Sequence, residues 1–364
     1  MDNNYINAFK STILEIYPLY LKKIILSQFI YEGYIIDTKR KGEQLALNIT
    51  DSLDVTEHDT PDEKIKAILT YGEDLLCYFE DFEYKKEFRH ICYFECKTIN
   101  SNIIEALVKA NEINVYDKKE KKQVYDDFNK PTIHIAGNLI YLKFARALNN
   151  DHSQIKYTTL CVIDIDSEII ELRLDRVGIE YKRSYDFYKG EINRILQYLR
   201  GKLQLEITDI EFKAIVEYMK SEKDDITIYA QKMNRNGTTA YLETYDDEEA
   251  VMPILGELEK YIEDNKSLFD IDDNTLAIKA GLEKFIQEIE IKSDLPMVKF
   301  KIDSQNIKIG ITHNYKDASY SLFMLYGDLI GSTRRMDYVR EFLSNSYKQL
   351  KNEIQPVTIP AEEN

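Results

Sequence analysis

Tryptophan is absent from these 364 residues, and the 4 cysteines, at positions 77, 92, 96 and 161, are too few and too scattered for a disulfide framework. A reducing, cytoplasmic setting is the expectation. Glycine is scarce too, with 13 in the whole chain. Gly137, Gly190, Gly237, Gly281 and Gly327 stand singly, which sets aside the Walker loop of an ATPase and the dinucleotide loop of a Rossmann dehydrogenase. Long uncharged apolar runs are missing as well. The most apolar N-terminal stretch, Tyr17 to Ile36, is broken by Pro18, Lys22, Lys23 and Glu32, so no membrane association is expected. Met1 to Lys10 lacks the basic start and apolar core of a signal peptide.

Positive charge is in deficit. With 48 Lys+Arg against 64 Asp+Glu, the net charge of −16 excludes a protein that coats nucleic acid or acidic lipid by bulk charge. Any phosphate contact must be local, and the acidic excess is concentrated towards the C-terminus. What is abundant is tyrosine, 27 residues beside 15 phenylalanines. Tyrosine offers large area with a polar tip, which suits partner interfaces. The heavy use of Ile, Lys, Asn and Tyr also looks like AT-rich coding, as in a low-GC bacterium or mobile element, where an antiviral defence role would fit.

Hydrophobic residues make up 44% of the chain, enough for a real core, and the length argues for two domains. The patterning predicts an α+β fold: N-terminal helices with a small sheet, then antiparallel hairpins alternating with helices. Domains are expected at 1–150 and 151–352, with a disordered tail over 353–364. Pro18 should divide the opening segment into two helices. Short apolar runs at Leu45 to Ile49, Ile65 to Thr70, Leu75 to Phe79 and Ile91 to Lys97 suggest the small sheet. Three hairpins follow, at Leu160–Asp166 with Ile169–Asp175, Asp225–Gln231 with Thr238–Tyr245, and Met297–Ile302 with Ile307–Ile311. In the third, Val298, Phe300 and Ile302 alternate with Lys299 and Lys301, so one face is apolar and the other carries lysine. Helices are expected after the hairpins, over Asp186–Arg200, Ala250–Asn265 and Ser319–Leu329, and over Thr275–Glu290 and 332–352.

Three constellations bear on chemistry. In His90–Lys97, alternation puts Tyr93, Glu95 and Lys97 on one strand face. A carboxylate that holds Mg²⁺ beside a lysine that activates water is the minimal kit of a PD-(D/E)xK-like nuclease, with Asp81 or Asp74 as second metal ligand. Glu-x-Lys, however, occurs six times in this composition, so a solvated ion pair explains Glu95 and Lys97 equally well. Next, Asp164, Asp166, Glu171 and Asp175 could converge across the first hairpin as a two-metal cluster, or simply form the outward polar face of a sheet with Arg173 offsetting their repulsion. Last, Lys182, Arg183, Lys189, Arg194, Arg200 and Lys202, interleaved with tyrosines, and Arg334 with Arg335, are candidate nucleic-acid or partner contacts. Buried cysteines explain Cys92 and Cys96 better than zinc does.

Each catalytic constellation thus has a simpler structural explanation. The expected function is a non-catalytic cytosolic recognition or assembly subunit that contacts a protein partner, a second copy of itself, or nucleic acid, with no cofactor. The alternative is a nuclease using Mg²⁺, with Asp81 and Glu95 as metal ligands and Asp81, Glu95 and Lys97 as its catalytic residues.

Overall fold

The computed structural model describes residues 3–37, 52–72, 75–97, 100–116, 127–182, 184–235, 237–244, 255–292 and 294–354. The fold is α+β, and the chain forms two compact units. The first comprises residues 1–210 and 327–345; the second comprises 211–326 and 346–364. Residue 150, where a domain boundary was expected, lies in the turn between strands Leu139–Asn149 and Gln154–Asp164, which pair along their whole length. The expected tail falls almost wholly outside the described residues.

In the first unit, helix Asn3–Ser11 runs into a wider turn at Thr12–Ile16, and Pro18 caps the next helix, Leu19–Tyr31. Proline supplies the fixed φ and needs no backbone partner there. Ile65–Thr70 and Leu75–Phe79 do not join a sheet as expected. They lie in helices Pro61–Tyr71 and Leu76–Lys85. Apolar runs this short do not distinguish a buried helix face from a strand. Thr60 and Glu63 close a capping box across Pro61, which fixes where that helix begins. Ile25, Phe29, Ile65, Ile68 and Phe79 interlock in one buried cluster.

The sheet of this unit runs Asn114–Val115, Thr132–Ala136, Leu139–Asn149, Gln154–Asp164, Ile169–Leu174, His90–Cys96. It is antiparallel apart from the first pair. Ile207–Asp209 also pairs with Phe94–Cys96. Register sorts the faces. Leu142, Phe144, Cys161, Ile163, Ile170, Leu172 and Cys92 share one face, and helix Phe187–Gly201 packs there through Tyr198 against Phe144 and Phe187 against Tyr157. Lys143, Lys156, Thr158, Asp164, Glu171 and Arg173 share the other.

In the second unit, strands Thr238–Glu243, Ile226–Arg235, Asp294–Ile302, Ile307–Thr312 and Leu322–Leu325 form an antiparallel series in that order. The helix expected over Ser319–Leu329 is replaced by the last of these strands, because Leu322, Phe323 and Leu325 pair with Thr312, Ile311 and Ile309. Val298, Phe300, Ile302, Ile307, Ile309, Ile311 and Phe323 are buried, and Phe212 of helix Phe212–Glu222 meets Phe323 edge-on at 4.7 Å. Between the second and third strands of this sheet, taken in sequence order, lies a helical excursion, Leu255–Asp264, Lys266–Phe269 and Asp273–Lys292.

Candidate functional site

His90–Cys96 is extended, as its alternation predicts, but its charged side does not stand in water along its length. Ile91 to Phe94 are buried on both faces. Glu95 is half-buried and accepts a hydrogen bond from Thr208 Oγ1 at 3.3 Å, and Lys97 is exposed. Asp81, on helix Leu76–Lys85, accepts from the Tyr116 hydroxyl and pairs with Lys85 one turn on. The two carboxylates are therefore held by different partners, and Asp74 lies outside the described residues. Among the described residues, no group of three or more His, Cys, Asp or Glu side chains is placed to hold a metal ion.

The acidic hairpin differs more sharply from expectation. Rather than facing outward, Glu171 and Arg173 are wholly buried. Arg173 Nη2 bridges Glu171 at 2.7 Å and Asp337 at 2.6 Å. Arg340 adds contacts to Glu171 at 3.4 Å, Asp337 at 3.1 Å and Asp164 at 3.3 Å. Burial works against the Arg173 charge, but Glu171 and Asp337 more than offset it, and its pKa is raised. Helix Arg334–Ile354 brings Asp337 and Arg340 down onto the sheet from far along the chain, so the hairpin's own sequence could not reveal it.

Alongside lies a second buried network that the sequence did not single out. Glu80 and Glu83, on the sheet-facing side of helix Leu76–Lys85, meet Lys143 and Lys156. Lys143 reaches Glu80 at 2.5 Å, and Lys156 reaches Glu83 at 2.5 Å and Glu80 at 2.9 Å. Tyr5 donates to Glu80, and Thr158 donates to Glu83 at 3.1 Å. Lys86 chelates both oxygens of Asp175, at 2.6 and 2.7 Å, yet burial still raises the Asp175 pKa. The available signal was a lysine set among mainly apolar neighbours in each of two strands. Two lysines facing two carboxylates balance in charge, and their bonds close on one another. Such a cluster specifies how the helix seats on the sheet rather than offering an open reactive group.

The predicted basic contacts are dispersed. Arg194 pairs with Glu191 of its own helix and lies over the Phe144 ring. Arg200 donates to the Ile207 carbonyl, Lys202 pairs with Glu112, and Lys182 sits over the Tyr188 ring. Arg335 grips Glu87 with two bonds, at 2.7 and 2.5 Å, while Arg334 lines a shallow hollow with Asp337 and Glu341. Lys189 lines a groove of about 520 Å³ with Arg146, Tyr181, Ser184 and Asn193. Arg183 lies outside the described residues.

Among the described residues, six of the sixteen large hydrophobic side chains that stand exposed lie on the helical excursion. Leu268, Ile271, Ile278 and Phe285 are each more than half exposed, as is Tyr261, and Leu276 nearly so. Ile278 and Phe285, seven residues apart, fall on one face of helix Asp273–Lys292. Of Leu276, Leu282, Phe285 and Ile286 on that helix, only Ile286 is fully buried. No described helix is long and apolar enough to cross a membrane. Set against family models and curated proteins, the sequence matches none.

Proposed function

We propose that this chain is a non-catalytic recognition or assembly subunit that engages a protein partner through the helical excursion 255–292. The supporting observation is the exposed apolar series Leu268, Ile271, Ile278 and Phe285 in an otherwise strongly charged molecule. Exposed apolar area of this kind costs solubility unless another surface covers it. The segment carries ten acidic and five basic side chains, so a complementary partner presents an apolar centre with a basic rim. The buried charges Glu80, Glu83, Lys143 and Lys156 pair with one another inside the first unit. Asp81 is engaged by Tyr116 and Lys85, and Glu95 by Thr208.

The test is affinity capture with the full chain, together with light scattering to detect self-association. Wild type should retain a defined protein or form a defined oligomer, and Ile278→Asp with Phe285→Asp should abolish this while leaving the circular dichroism unchanged. A wild-type chain that stays monomeric and captures nothing that the double variant fails to capture would refute the proposal.

A further inference from the structure

The sheet of the second unit has two unlike faces. One is the apolar core; the other gathers tyrosine and lysine. Lys299, Lys301 and Lys308 project on the side opposite Val298, Phe300 and Ile309, as their alternation requires. Lys299 Nζ lies 5.3 Å from the ring centre of Tyr241 and 5.1 Å from that of Tyr326. Lys308 Nζ lies 5.2 Å from the Tyr229 ring. Three aromatic rings from three different strands or strand ends are thereby interleaved with lysines on one surface.

Local backbone features serve this arrangement. The register slips between Ile228 and Ala230, so Tyr229 is the extra residue of a bulge, and its ring lies beside Lys308 on the face opposite buried Ile228. Gly310 stands opposite Lys299 with no side chain, and a Cβ there would lie 2.9 Å from the Tyr326 ring. The glycine lets that ring lie down across the sheet.

The charges are arranged at a cost. Lys301 and Lys308 are directly paired across the strands, a like-charge arrangement that destabilises an antiparallel ladder. Asp303 approaches Lys301 at 3.4 Å, and Glu243 holds Lys299 at 2.9 Å, while Lys308 is exposed. Tyr241, close to half exposed, presents a flat surface beside them.

We propose that this face binds single-stranded nucleic acid. Bases stack on Tyr241 and Tyr326, with Tyr229 extending the platform, and a phosphate pairs with the exposed Lys308. Aromatic side chains on a sheet stack unpaired bases irrespective of sequence, and neighbouring lysines track the backbone. A duplex conceals its base faces and cannot use such a platform. The local lysine cluster resolves the difficulty posed by a net charge of −16, since contact is confined to one patch.

The test is fluorescence anisotropy of the full chain with labelled oligothymidylate and oligouridylate of about 20 nucleotides, and with a duplex of equal length. At least one single strand should bind more tightly than the duplex, and the two arms tell DNA from RNA. Tyr241→Leu with Tyr326→Leu should weaken binding about tenfold or more, whereas Tyr241→Phe, which keeps the ring, should not. Lys308→Gln should lower the slope of log affinity against log salt by about one phosphate contact. No binding, equal duplex binding, or unchanged affinity in a folded double-leucine variant would overturn the proposal. Ile278→Asp with Phe285→Asp should leave oligonucleotide binding intact, so this site and the protein-docking surface succeed or fail separately.

Discussion

At the scale of single residues, this protein is marked by how much charge it buries. Lys143, Lys156, Glu80 and Glu83 are all but inaccessible, and each is tied to at least one opposite charge. Removing one member leaves its partner's charge stranded. Lys156→Met should therefore destabilise the fold by about 3–5 kcal/mol in urea unfolding, and adding Glu83→Gln should recover part of that loss. A loss below about 1 kcal/mol would mean that water already reaches the cluster. His313 gives a second, pH-dependent expectation. It is buried in the second unit with Nδ1 3.1 Å from Ser321 Oγ. Burial, helped by Lys213 and opposed by Asp294, lowers its pKa from 6.5 to about 4. A lowered histidine pKa favours the neutral ring in the native state, so its contribution is complete above about pH 6.5 and is lost as pH falls towards 4. Stability should decline over that window by about 3 kcal/mol from this group, and His313→Asn should flatten the decline. His90, held down to about 3 chiefly by burial, acts in the same direction. That either histidine is buried could not be read from the sequence, because burial of a lone imidazole depends on what packs over it.

At the scale of elements, local chemistry decided some boundaries and tertiary contact decided others. Thr60, Pro61 and Glu63 mark a helix start that needs nothing beyond its own chain. Thr60→Ala should cost about 1 kcal/mol, measured by thermal or urea unfolding, with no change elsewhere in the fold. The hairpins at Gln154–Leu174, Ile226–Glu243 and Asp294–Thr312 were likewise legible, since alternation and turn residues are local signals. Leu322–Leu325 was not. Its four residues have no period of their own and become a strand only by pairing with Ile309–Thr312. The candidate surfaces divide in the same way. Lysines alternating with apolar residues over 298–302 were readable, but the meeting of Lys299 with Tyr241 and Tyr326, and of Lys308 with Tyr229, required the segments that carry those tyrosines to come alongside.

At the scale of the whole molecule, the net charge of −16 opposes compaction through self-repulsion, while the strongest ion pairs lie inside, where salt reaches them poorly. Raising salt from about 0.01 M to about 0.15 M should therefore raise the melting temperature by a few degrees. A fall would show that exposed pairs govern stability instead. Composition and periodicity by themselves determined the α+β class, the antiparallel hairpins and the acidic character, because these follow from side-chain volume, alternation and ionisation, which belong to each residue or its near neighbours. Which charges are neutralised and which remain available was decided only in three dimensions. Asp337 must reach Arg173 across 164 positions of chain, and Lys156 must reach Glu83 across 73. Pairing over such separations depends on how helices seat on a sheet, and a linear pattern of charges carries no record of it.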